Sequence, residues 1–194
     1  HTDAAQSVGK IPVHVDELYV DLLTCSSHKI YGPKGVGFLY VRTGTSLSPL
    51  FSGGGQEGGL RSGTENLPGI SGLAKALETA DKGMQKEGIY LSQLRDSLFD
   101  SLSRSLDGLH LNGHMTSRLP GTLSLSIEGI KSADLIKLLN QKRIFVSASA
   151  ACTAASIHPS HVLSAMGVSL HRAAGTRRIS LGRSTRKEDF PYIV

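Results

Sequence analysis

Apolar residues in this 194-residue chain follow two rhythms. Val20-Asp-Leu-Leu-Thr24 and the run from Val36 to Arg42, with Phe38, Leu39, Tyr40 and Val41, are short and nearly continuous, as buried strands are. Ile70, Leu73, Ala76, Leu77 and Ala80 recur at steps of three and four, which marks one face of a helix. Asn66 stands before that run and Pro68 falls in its first turn, both helix-start signals. A second amphipathic run continues through Leu91, Leu94, Leu98 and Leu102.

Beyond that run the pattern changes. Leu123, Leu125 and Ile127 alternate with polar residues from Thr122 to Ile127, predicting a half-buried strand. Ser132 is placed to cap a helix holding Leu135, Ile136, Leu138 and Leu139. Ile144-Phe-Val reads as a strand, His161 to Met166 as a short helix, and Arg178 to Leu181 as a strand. Thr185-Arg-Lys-Glu188 has the spacing of a capping box opening a last helix. Strands alternating with helices predict α/β layers. A change from Gly-rich, loop-heavy sequence to a tighter α+β pattern predicts two domains, residues 1–82 and 83–194.

Bulk properties narrow the classes. The hydrophobic content of 39% fits a globular core, and no apolar run is long enough to span a membrane. The net charge of +5 is spread along the chain rather than gathered in a stripe. Basic clusters such as Arg183 to Lys187 are not interleaved with aromatics, which argues against a nucleic-acid platform. Cys25 and Cys152 form no CxxC unit, so a reducing compartment is expected rather than a disulfide framework. The first residues, His1-Thr-Asp, lack an initiator Met and read as an internal start within a longer protein.

Three tempting motifs fail on context. Gly53, Gly55 and Gly58 satisfy GxGxxG, but Leu60-Arg-Ser-Gly follows instead of the apolar helix a dinucleotide site needs. His158, His161 and Cys152 suggest zinc ligands, yet a fourth ligand is missing, so no metal is expected. His110 and His114 bracket a turn-like Asn112-Gly113 and read as surface residues.

Three other stretches carry chemistry. In "HTDAAQSVGK", Asp3 and Gln6 come just past an expected strand end. In "SSHKIYGPKGVG", His28 and Lys29 follow small hydroxyl residues and precede Gly32, Gly35 and Gly37. In "SAACTAASIHPSHVL", Cys152 stands among small residues. An uncharged lysine amine suits Schiff-base chemistry, and a carboxylate beside a pyridinium nitrogen makes that ring an electron sink.

With "GGGQE…RSGTEN", "HPSHVLSAMG" and "RRISLGR", these stretches make the chain resemble the cysteine desulfurases of the NifS/IscS type. These are class-V aminotransferase-family enzymes of fold type I that use pyridoxal 5′-phosphate, close to the selenocysteine lyases. The resemblance implies that residues 1–82 are the rear of the large cofactor domain and 83–194 a small α+β domain. It implies that Lys29 binds the cofactor covalently, that His28 precedes it in the site, and that Asp3 partners the pyridine nitrogen. Gln6 would bond the ring hydroxyl and Ser26 the phosphate. Thr64 would reach the phosphate of a neighbouring subunit, implying a homodimer. Arg178 would clasp the substrate carboxylate, and Cys152 would take the sulfur as a persulfide.

L-cysteine is the implied substrate and L-alanine the product. L-selenocysteine would be the substrate if the chain is a selenocysteine lyase. A sulfur acceptor or Fe-S scaffold protein is the implied partner, with cytoplasmic placement, or mitochondrial in a eukaryote. A different class of reading is a catalytically silent fragment serving as a binding module.

Overall fold

Thr2–Asp3 (β1) runs parallel to Leu22–Ser26 (β2), and β2 runs antiparallel to Gly37–Val41 (β3). These strands come from a computed structural model that describes residues 1–130, 132–144 and 160–194. The described residues divide into two units, His1–Lys86 and Glu87–Val194.

In the first unit, Leu23 and Cys25 of β2 are buried while Leu22, Thr24 and Ser26 turn to the other face. The strand starts two residues later than its apolar string predicts. Tyr19 is left-handed (φ 51°), and Arg42 donates to the carbonyls of Val15 and Val20 and to the Asp16 carboxylate at 2.7–3.1 Å. A guanidinium that holds those groups closes residues 15–20 as a loop and delays the strand.

The two predicted amphipathic runs form one helix, Leu67–Ser105 (α1). Its start is as predicted: Asn66 Oδ1 accepts from the Gly69 amide at 3.1 Å. No proline interrupts residues 81–90, so nothing breaks the backbone ladder there. Leu73 and Ala80 are buried in the first unit, and Leu91, Leu94, Leu98 and Leu102 in the second.

In the second unit, Leu109–Leu111 (β4), Thr122–Ile127 (β5) and Thr176–Ser180 (β6) form an antiparallel sheet in the order β4-β5-β6. Leu123 and Leu125 of β5 join the four α1 leucines and Phe190 in one core. Helices Ser132–Gln141 (α2), His161–Ala165 (α3), Leu170–Ala174 (α4) and Phe190–Ile193 (α5) complete the unit as described. β5 has its predicted bounds, whereas β6 begins two residues early, directly after Gly175. A Cβ built on Gly175 would lie 2.3 Å from the Ile127 carbonyl oxygen, so only glycine fits where the chain enters the sheet.

The predicted capping box at Thr185 does not form. Thr185 Oγ1 instead accepts from the Gly182 amide at 3.0 Å, while Asp189 accepts from the Arg186 amide at 3.4 Å. Ile144 lies in no regular element, and the rest of its predicted strand falls outside the described residues. Among the described residues, no helix is long and apolar enough to cross a membrane.

Candidate functional site

The β1–β2 register pairs Thr2 with Leu23 and Asp3 with Thr24. Asp3, Thr24 and Ser26 therefore project from one face of the sheet, opposite to buried Leu23 and Cys25. Asp3 and Ser26 also lie at the carboxyl ends of two parallel strands, where open α/β sheets hold their ligands. The Asp3 carboxylate accepts from the Ala5 amide at 2.9 Å, which turns the chain away from the strand and fixes the carboxylate at its end.

Ser27–Ile30 forms a single 3-10 turn directly after β2. With three residues per turn, Ser27 and Ile30 stack on one side, and both are buried. His28 and Lys29 are left on the outer side, exposed and half-buried respectively. Left-handed Tyr31 (φ 65°) ends the turn.

Two glycines of this stretch are required by close contacts. A Cβ at Gly32 would lie 2.1 Å from the Ser27 hydroxyl, and one at Gly37 would lie 2.3 Å from the Cys25 carbonyl. Ser27 is fully buried, and among the described residues its hydroxyl has no hydrogen-bond partner.

Gln6 is half-buried, and its Oε1 accepts from Lys10 Nζ at 2.8 Å. Lys34 is exposed. Thr64 is exposed in the glycine-rich loop that leads into α1. That loop is tied by its own side chains: Ser62 Oγ donates to the Phe51 carbonyl at 2.6 Å, and Arg61 stacks 4.3 Å from the Phe51 ring centroid.

In the second unit, Arg178 pairs across with Ser124 and Arg177 with Leu125. Consecutive residues face opposite sides, so Arg178 is half-buried on the polar face while Arg177 is buried on the leucine face. Burial pushes the Arg177 guanidinium pKa down from its ordinary value. Burial likewise raises the Cys25 thiol, and the Asp3 charge adds to that shift while the Ser26 amide opposes it. Cys152 and His158 lie outside the described residues.

One buried polar residue has no local mark in the sequence. Asn112, in the turn-like Asn112-Gly113, is 3% exposed and bonded to Ser126, with a longer contact to Ser124. Gly113 (φ 87°) does make the turn. The available signal was the string Thr-Leu-Ser-Leu-Ser-Ile, whose serines oppose the buried leucines and need polar partners.

Comparison with known proteins gives a consistent set of relatives. The aminotransferase class-V family model matches residues 1–192. Cysteine desulfurase IscS of Dictyoglomus turgidum (strain DSM 6724 / Z-1310) is 46% identical over 194 residues, covering 100% of this chain and 49% of that protein. A solved NifS-like protein superposes with a TM-score of 0.86 at 41% identity, over 98% of this chain and 48% of its own. The structure of SspA in complex with cysteine gives a TM-score of 0.69 at 38% identity, over 93% of this chain and 49% of its own. The chain thus spans about half the length of the curated relatives it matches.

Proposed function

The chain belongs to the class-V aminotransferase family, and from that membership we propose that it is part of a pyridoxal-phosphate-dependent cysteine desulfurase. The observation that carries this reading is the common sheet face of Asp3 and Ser26 at the strand ends, with Lys29 in the turn that follows. The relatives named cysteine desulfurase, and the SspA structure with cysteine, favour L-cysteine as substrate.

The residues present suit the cofactor's functional groups. Asp3 offers a carboxylate for the protonated ring nitrogen, Gln6 a carboxamide for the ring hydroxyl, and Ser26 and His28 donors for phosphate. Lys29 offers the amine for covalent attachment. Pyridoxal phosphate, when bound, supplies an electron sink for the bonds broken in the substrate. Thr64, on its exposed loop, is suited to reach the phosphate of a second subunit, so the active form is a homodimer. Residues 1–82 then correspond to the rear of the large cofactor domain, and 83–194 to the small domain.

Arg178 has the planar fork that binds a carboxylate through two parallel hydrogen bonds. It would hold the substrate's carboxylate. The Cys152 thiolate would form an S–S bond with the substrate sulfur as the carbon–sulfur bond breaks. The electron pair stays on carbon, which takes a proton to give L-alanine and leaves a persulfide on Cys152. A sulfur acceptor or Fe-S scaffold protein would then discharge it.

The test is alanine release from L-cysteine and from L-selenocysteine by the holoenzyme, with wild type compared to Cys152→Ser. Alanine from cysteine with persulfide on Cys152 is expected. Cofactor binding without alanine release from cysteine would overturn the reading.

A further inference from the structure

We infer that Arg172 and Thr176 are positioning residues that aim Arg178, an inference that rests on Arg178 holding the substrate carboxylate. A closed hydrogen-bond circuit on the polar face of the second sheet carries it. Arg172 Nη2 donates to Asn112 Oδ1 and to the Leu111 carbonyl, both at 2.9 Å. Asn112 Nδ2 donates to Ser126 Oγ at 2.9 Å. Ser126 Oγ and Thr176 Oγ1 are 2.7 Å apart, and Thr176 Oγ1 donates to the Arg172 carbonyl at 3.3 Å.

The protons can be counted. Each hydroxyl has one hydrogen. Thr176 spends its own on the Arg172 carbonyl, so Ser126 must donate to Thr176 while accepting from Asn112. The circuit therefore runs in one direction and returns to the residue it left. It joins β4, β5, β6 and α4, and Ser126 and Thr176 are buried.

Its place relative to Arg178 decides its use. Asn112 extends β4 by one ladder bond, its amide donating to the Ser124 carbonyl at 2.8 Å. Asn112, Ser124 and Arg178 thus form one row across the three strands, and Ser126 with Thr176 forms the adjacent row. β6 pairs only with β5 among the described residues. Arg178 rides on it two residues past Thr176. Fixing Thr176 on one side to Ser126 and on the other to the end of α4 fixes the strand from which the Arg178 fork projects. A fork displaced by a fraction of an ångström loses one of its two parallel bonds, which weakens substrate binding more than it slows later steps.

The experiment measures KM and kcat for L-cysteine in the holoenzyme for Thr176→Val, Thr176→Ser and Arg178→Lys. Valine matches threonine in shape but cannot relay the hydrogen bond, whereas serine keeps the hydroxyl. Thr176→Val is expected to raise KM about fivefold or more with kcat within about twofold, and Thr176→Ser to restore KM to near wild type. If Thr176→Val is not recovered folded, Arg172→Lys carries the same test, because lysine keeps the charge without the planar donor array. A raised KM for Arg178→Lys with KM unchanged in the circuit variant overturns the positioning role alone. An unchanged KM for Arg178→Lys overturns the reading of Arg178, and the inference with it.

Discussion

Arg177 and Arg178 are chain neighbours on β6 that look to opposite sides of one sheet. Arg177 lies across from Leu125 and is 3% exposed; Arg178 lies across from Ser124, half-buried. Their substitutions should fail in different ways. Arg178→Lys keeps the charge and loses the fork, so transition-state and substrate binding should weaken by roughly 2–5 kcal/mol with little change in Tm. Arg177→Ala removes a buried side chain and should lower Tm by about 4 °C or more. Steady-state kinetics run beside thermal melts separate the two. A rate dependence on cysteine that Arg178→Lys leaves unaltered would remove Arg178 from the site.

Lys29 should be the lysine that carries the covalent cofactor. It stands on the outer side of the turn after β2, whereas Lys10 Nζ is bonded to Gln6 and Lys34 is exposed beyond Gly32-Pro33. Borohydride reduction of the holoenzyme followed by peptide mapping reads this directly. A pyridoxyl adduct on Lys10 or Lys34 would displace the assignment, and with it the roles given to Asp3 and Ser26.

The two cysteines should differ in reactivity. Cys25 is 4% exposed and its thiol is raised by burial, so alkylation should be at least about tenfold slower than for an exposed thiol. The pH dependence has a definite sign. Stability from keeping Cys25 neutral is fully present below the ordinary thiol pKa of about 8.5 and is lost as pH rises through the raised folded value. Melting curves from neutral to alkaline pH should therefore fall more steeply for wild type than for Cys25→Ala. That variant should keep wild-type turnover, and loss of activity would show that Cys25 does more than pack.

Ser27 and Gly32 occupy each other's space. Ser27→Ala deletes a buried hydroxyl with no partner among the described residues and should change stability by less than about 1 kcal/mol. Gly32→Ala puts a methyl 2.1 Å from that hydroxyl and should cost about 1–3 kcal/mol. Combined, the two should cost less than their sum, with a coupling of about 0.5–3 kcal/mol in a double-mutant cycle. Strict additivity would mean that the clash is relieved elsewhere, at Ala76 or the Ser27 carbonyl.

What could be read from sequence alone follows the range of the interactions involved. β5 and the start of α1 were legible because alternation and the Asn66 cap act within a few residues. The length of α1 was not, because two amphipathic runs without a break between them look the same whether joined or separate. The late start of β2 depends on Arg42 reaching back 22 to 27 residues, which no local pattern records. Asp3, Gln6, Ser26, His28 and Lys29 stood out because each belongs to a contiguous string with chemical character. Asn112 did not, because its partners are 14 and 60 residues away.

Two identical residues in succession carry a hazard of ambiguous alignment. If β6 slid by one residue along β5, an arginine would still face the leucines and another would still face the serines. Charge alone cannot tell the correct pairing from its neighbour, although a one-residue slip inverts every side chain of a strand. Gly175 breaks the tie. A slip in either direction would bring Ala174 or Thr176 to the spot beside the Ile127 carbonyl, where a Cβ at Gly175 would come within 2.3 Å. A residue with no side chain thus acts as the index mark that decides which arginine lies across from Ser124.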